Sequence, residues 1–193
     1  MNRKKFISLL GLSSLNFFNA KAMYNSNTSP EIFYFKDDGK IPNSRYPLLI
    51  FHDAFTKTGS DASGFYEKEF AKNNWTNSWV NGVYPFHHYH STSHEVLGIY
   101  SGSALLHLGG ENGKQLTVKA GDVIVIPAGV GHKKISSDDA FGVVGAYPDG
   151  RSWDLLRGEL GERPKADENI AAIPFPSTAP LNVEGGLHKF WRK

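Results

Sequence analysis

Cysteine is absent from the 193 residues and methionine occurs only twice. Neither a disulfide framework nor a thiolate metal site is therefore available, an absence compatible with any compartment. Excess charge of one sign is also missing: 21 Lys and Arg stand against 19 Asp and Glu, a formal net charge of +2. The pI is about 8.7, yet outside the N-terminus the basic residues are scattered, which argues against a nucleic-acid-binding domain. No Ser-His-Asp arrangement, phosphate loop or dinucleotide fingerprint stands out, and there is no internal repeat or low-complexity tract. Long apolar runs are lacking too. The one at the N-terminus, Phe6 to Phe18, is too short to anchor the chain across a bilayer.

What is present suits a β-protein. Aromatic residues make up 13% of the chain and glycine numbers 20, a composition that fits many short strands joined by tight turns. The length is enough for one domain with a proper core.

The N-terminus carries a basic start, Asn2-Arg3-Lys4-Lys5, then the apolar run, then the small-x-small sequence Ala20-Lys21-Ala22. This pattern predicts a secretory signal peptide over residues 1–22, cleavage near Ala22 and a periplasmic or secreted single domain over residues 23–193. Arg3-Lys4 resembles a twin-arginine signal with its second Arg replaced, so both export routes stay open.

Taken in order, Glu31 to Phe35 and Tyr46 to His52 read as extended segments, and His52 belongs to no ligand spacing. Asp61 to Lys72 is the one helical stretch expected, with Asp61 as its N-cap. Trp75 and Trp79 follow and are expected to seal the helix onto the rest as core, with substrate stacking the alternative. Ser103 to Leu108 and Gln115 to Val118 form a hairpin about Glu111-Asn112-Gly113-Lys114, with His107 expected in its wall. Phe141 to Tyr147 supplies a last strand. The proline-rich tail from Pro148 is expected to wrap the domain, with at most a short helical turn near Trp153 to Leu156.

The chemistry is concentrated between Gly82 and His132. The first half reads Gly82-x5-His88-x-His90-x4-Glu95-x6-Gly102 and the second Gly121-x5-Pro127-x-Gly129-x2-His132. In an extended segment, residues i and i+2 share a face, so His88 and His90 present two imidazoles together while His87 and Tyr89 face away. Glu95 opens the next strand after a short polar turn and can return to them. His132 lies just beyond the strand Val123 to Ile126 and its proline-glycine turn. Three imidazoles and one carboxylate suit a divalent first-row ion. Manganese and iron are favoured because four protein ligands would leave about two octahedral positions open, while nickel, cobalt and zinc remain possible.

This paired pattern resembles the cupin superfamily, whose two motifs carry three His and one Glu as metal ligands, and His88, His90, Glu95 and His132 match every ligand position. Ser136 stands where the second motif usually ends in Asn, a position that is not a ligand. The wording His88-Tyr89-His90-Ser91-Thr92-Ser93-His94-Glu95-Val96-Leu97-Gly98, with Pro148-x-Gly150-x2-Trp153-Asp154 and Glu162-Arg163-Pro164, further resembles a YjlB-like group of single-domain cupins without an assigned reaction. The resemblance implies a mostly β fold, a small jelly-roll barrel or double-stranded β-helix, with a metal-binding core over about 82–136. It also implies a homodimer.

Two functions fit. One is an exported metal-dependent enzyme performing oxidation, decarboxylation or isomerisation on a small carboxylate, phenolic or sugar-like molecule. The other is a non-catalytic, metal-organised module that binds or stores a small ligand. His94, Tyr100 and Tyr89 are the available proton donors, with His94 and Tyr100 the expected catalytic residues. Phe86, Val96, Leu106 and Ile126 are expected to form an apolar mouth.

Overall fold

Val123 to Ile126 is apolar at every position and buried at every position, which a strand can be only when both faces of its sheet are covered. The computed structural model, which describes residues 29–182 and 186–191, shows both covers. The expected signal segment lies outside the described residues.

One antiparallel sheet contains β1 (Glu31–Phe33), β2 (Leu48–Phe51), β3 (Trp75–Asn81), β4 (Glu95–Ser101), β7 (Val123–Ile126) and β9 (Gly142–Pro148), in the order β1-β2-β7-β4-β9-β3. A smaller antiparallel sheet contains β5 (Ser103–Leu108), β6 (Lys114–Lys119) and β8 (His132–Ser137), in the order β6-β5-β8. Between the sheets lie Ile50, Leu97, Ile99, Leu106, Ile124 and Val143. On the other side of the large sheet, Leu49, Val96, Val125 and Val144 pack against Tyr66 and Phe70 of helix α1 (Ser63–Lys72) and against Trp191 of the tail. The result is mostly β, the jelly roll that the resemblance to cupins implies, with α1 and the end of the tail on one side.

Two details explain the cover. Gly98 of β4 has no side chain where α1 arrives: a Cβ there would lie 2.5 Å from Tyr66 Cδ1 and 2.8 Å from Phe70 Cζ. The Trp191 indole N–H donates to Pro47 O at 2.8 Å, fixing the tail to the start of β2.

Several expectations need correction. Helix α1 has Ala62, not Asp61, at its N-cap, with no side-chain capping bond; Asp61 is one residue too early to reach the first turn. Trp75 and Trp79 lie in β3, because Asn73 ends the helix and Asn74, at φ +60°, turns the chain into a strand; Trp75 seals α1 as expected, whereas Trp79 packs on the other side of the sheet. Trp153 to Leu156 forms no helical turn. Instead Leu156 pairs with Tyr89, the two backbone hydrogen bonds measuring 2.8 and 3.0 Å. A second helix, α2 (Lys165–Ala172), fits between Pro164 and Pro174, an interval that the proline count obscured. His52 is structural, its ring nitrogens 3.2 Å from Glu31 and 3.3 Å from Asp122.

Candidate metal centre

His88 and His90 lie in an extended segment held from three directions. His88 exchanges backbone hydrogen bonds with His132, at 3.2 and 2.9 Å, while Tyr89 pairs with Leu156 and His90 O accepts from Gly129 N–H at 2.9 Å. Strand alternation then operates as the sequence requires. His88 and His90 face inward; Tyr89 faces outward and its hydroxyl donates to Glu162 at 3.0 Å. Glu95 is the first residue of β4 and His132 the first of β8, so both enter at strand ends near the same opening.

The geometry brings these four buried side chains together. Ring centroids are 4.0 Å apart for His88 and His132, and 5.6 Å for either with His90. One ring nitrogen from each of the three histidines lies within 4.8 Å of the other two, so the group could hold a metal ion. Glu95 Oε2 is 3.4 Å from His90 Nε2 and 3.3 Å from His132 Nε2.

The outer contacts fix which atoms point inward. His88 Nδ1 meets Phe86 O at 3.2 Å and His132 Nδ1 meets Val130 O at 3.2 Å, while His90 Nδ1 meets Asp154 O. A carbonyl only accepts, so each Nδ1 carries its proton, and in the neutral ring each Nε2 keeps its lone pair for the centre. Glu95 divides its oxygens in the same way. Oε1 accepts from the Tyr147 hydroxyl at 2.9 Å, whereas Oε2 is buried and has no hydrogen-bond partner among the described residues. A buried carboxylate oxygen without a donor is costly. Three nitrogen lone pairs and one unpartnered anionic oxygen form a donor set that fits a divalent cation.

Electrostatics in the metal-free chain agree. Burial, then the neighbouring His132 and His90, hold His88 down at about 2. Burial opposes charge on His90 as well, but the Glu95 carboxylate outweighs it and raises that ring above its ordinary value. Burial likewise opposes the charge on Glu95, but His90 and His132 overcome it and hold the carboxyl below the usual range. A divalent cation held there would balance the buried Glu95 charge.

The centre opens into a cavity of about 370 Å³ lined by Trp79, Tyr84, Pro85, Lys134, Tyr147 and Trp153 together with the four residues above. His94 and Tyr100, expected as proton donors, are not brought there. His94 packs beside Trp191 and Tyr46, and its Nδ1 accepts from Ala128 N–H at 3.0 Å. Tyr100 shares the face of β4 that meets α1 and lies 6.4 Å from Tyr66, centroid to centroid. The apolar mouth also differs. Val96 belongs to the cluster under α1, and Leu106 and Ile126 to the interior between the sheets. Phe86 stacks on Tyr84 at 5.0 Å, leaving Tyr84 as the cavity-lining member of that pair.

Sequence reasoning gave no role to Tyr147, Lys134 or Asp154. The Asp154 carboxylate accepts from Ser91 N–H at 2.6 Å and Thr92 N–H at 3.2 Å, and from both hydroxyls, so the tail locks the turn after His90. The Trp153-Asp154 pair was visible within the quoted tail motif, but its partner is 63 residues away along the chain.

The cupin-domain family matches residues 79–142. An uncharacterized protein, YjlB, of Bacillus subtilis strain 168 is 41% identical over 152 residues, which is 78% of this chain and 89% of that protein. Among solved structures, acireductone dioxygenase from Bacillus anthracis, with cadmium in its active centre, is 21% identical at a TM-score of 0.31, covering 45% of this chain and 57% of that one. Bacillus subtilis oxalate decarboxylase, studied for its Mn(II) centres, is 20% identical at a TM-score of 0.34, covering 61% of this chain and 29% of that one. Tomato vicilin is 15% identical at a TM-score of 0.35, covering 60% of this chain and 31% of that one. This chain thus spans little more than half of the dioxygenase and under a third of the decarboxylase. Likenesses this loose say nothing about a reaction. The extent of identity to YjlB, joined to the cupin-domain match and the jelly-roll fold, shows that the chain belongs to the cupins and, within them, to the group that includes YjlB.

Proposed function

We propose that this chain is an exported, metal-dependent enzyme acting on a small oxygen-rich molecule, with His88, His90, Glu95 and His132 holding one divalent ion. The observation that carries this reading is Glu95 Oε2, buried without a hydrogen-bond partner among the described residues, between two Nε2 atoms at 3.3 and 3.4 Å. Three nitrogens and one oxygen favour manganese or iron over zinc, because an octahedral ion keeps positions for a substrate. When bound, such an ion supplies Lewis-acid or redox chemistry at an oxygen of that substrate.

The chain's own residues do the rest. Asp154 O orients His90, and Tyr147 orients Glu95. The rings of Trp79 and Trp153 keep water from the walls, while Lys134 offers a positive charge on one side. That combination suits a compact carboxylate or phenolate with one apolar face. Export rests on the basic start, the apolar run and the Ala20-Lys21-Ala22 site, and N-terminal sequencing of chain recovered from outside the cytoplasm tests it.

A specific observation favours the binding module as a second reading. Apart from the four proposed ligands, the titratable groups lining the cavity are Tyr84, Lys134 and Tyr147. Of these, Tyr147 already donates to Glu95 and accepts from the Trp79 indole N–H at 2.7 Å. Among the described residues, a proton donor for turnover is therefore limited to Tyr84 or Lys134.

Elemental analysis of the protein purified from its native compartment without added metal tests the ligand set. About one equivalent of manganese or iron is expected, absent from the His88→Ala/His90→Ala form. Equal manganese or iron in a folded double variant refutes the assignment. Oxygen-uptake and decarboxylation screens on the loaded protein then separate the two readings, since a module returns its ligand unchanged.

A further inference from the structure

The segment that turns His88 and His90 inward turns His87 outward, against the other side of the small sheet. There its ring meets His107, at 4.8 Å between centroids and 60° between planes. His107 lies on the face of β5 opposite to Ala104, Leu106 and Leu108, which fill the interior. Glu111, on the β5–β6 hairpin, brings its carboxylate to 3.4 Å from His87 Nε2. One ligand atom from each of these three residues lies within 4.8 Å of the other two.

His87 is the observation that makes this more than a cluster. Its side chain is only 9% exposed, and both ring nitrogens are buried with no hydrogen-bond partner among the described residues. A neutral imidazole needs an acceptor for one nitrogen and a donor for the other, so this ring is left unsatisfied on both sides. We infer that His87, His107 and Glu111 form a second, surface metal site that takes a zinc ion, separate from the centre in the cavity.

The chemistry favours zinc. Two neutral imidazoles and one carboxylate leave the fourth tetrahedral position to water, and ligand bonds of about 2.0–2.1 Å place neighbouring ligand atoms about 3.3 Å apart. The His87–Glu111 separation is already close to that edge. The His107 ligand atom lies within 4.8 Å of the other two, a gap that rotation of its ring has to close, while Glu111, 71% exposed on a hairpin that includes Gly110 and Gly113, can follow. Lys133 opposes the cation. It lies across from His107 in the β5–β8 register and its ammonium sits 3.1 Å from Glu111 Oε1, so zinc must take the carboxylate from an existing ion pair. The bound ion would join the segment bearing His88 and His90 to the hairpin of the small sheet.

Zinc alone, titrated into the chelator-treated full chain and followed by calorimetry and elemental analysis, tests the site. Two equivalents are expected for the unaltered protein and one for His107→Ala, whose inward-facing centre is intact. The His88→Ala/His90→Ala form should keep one equivalent and lose it on adding His107→Ala. Lys133→Met should tighten the outer site about tenfold by freeing Glu111. If His107→Ala leaves the zinc stoichiometry unchanged with the fold preserved by circular dichroism, the site is refuted. An unchanged affinity in Lys133→Met removes Glu111 from it. The comparison of the unaltered chain with His107→Ala decides the matter even if the double variant does not fold.

Discussion

The two ends of strand β4 face the same interior and meet different company there. At one end Ile99 is enclosed by the apolar cluster that includes Leu106, Ile124 and Val143. At the other, Glu95 faces His90 and His132 and the interior stays open as a cavity. Alternation alone places Glu95, Leu97 and Ile99 on one face; what differs is how each end is held. The closed end is fixed by packing. The open end cannot be, so its side chains are fixed by directional bonds on their far sides: three backbone carbonyls for the imidazoles, and the Tyr147 hydroxyl for Glu95. Rigidity at the opening is thus a matter of hydrogen bonds, and stability a matter of the closed end.

The largest effect should come from breaking the closed end. Ile99→Ala removes a fully buried side chain from the interior and is expected to lower unfolding free energy by about 2–5 kcal/mol. Urea denaturation measures the loss, while the metal bound per folded molecule should stay unchanged. A parallel fall in metal content would show that packing also holds the ligands.

A smaller effect follows from the residue just before the same strand. Burial, then the Arg151 charge, hold His94 down at about 3. The ordinary value is about 6.5, so below it the unfolded chain takes up a proton that the folded chain refuses. Stability contributed by this group is therefore complete above about pH 6.5 and is lost as pH falls toward 3, by up to about 1.4 kcal/mol per pH unit. His94→Gln keeps an acceptor for Ala128 N–H and removes the titration. Denaturation midpoints of the metal-free proteins at pH 7, 6 and 5 should fall more steeply for the unaltered chain; parallel profiles would show that His94 is protonated in the folded state.

Much of this was legible before any coordinates. The i, i+2 spacing put His88 and His90 on one face and His87 and Tyr89 on the other, and glycine and proline marked the turns that deliver Glu95 and His132. The apolar run Val123 to Ile126 marked a strand, without saying that both of its faces are covered. The illegible parts depend on contacts between distant positions. Tyr147 reaches Glu95 across 52 residues and Asp154 reaches Ser91 across 63, and no local pattern encodes either pairing. Trp75 and Trp79 were expected to seal the helix together, as a four-residue interval on one face allows, but the shift in register between Thr76 and Trp79 opposite β9 sends Trp75 to the cluster under α1 and Trp79 to the cavity side.

The smallest effect sharpens the comparison most. Tyr147→Phe keeps the ring and removes only the hydroxyl that donates to Glu95 Oε1 at 2.9 Å and accepts from the Trp79 indole N–H at 2.7 Å. Stability should fall by about 1 kcal/mol, the worth of a hydrogen bond whose partners are left behind. Metal affinity should fall roughly tenfold, because an unheld carboxylate must be ordered when it binds. Tyr100→Phe is the matching control: Tyr100 lies on the opposite face of the sheet, against Tyr66, and its loss of a hydroxyl should leave metal affinity unchanged. Competition against a chromogenic chelator at pH 7 reads both variants. Equal affinities would mean that Glu95 is positioned by the strand alone, and that the open end, like the closed one, is rigid through packing.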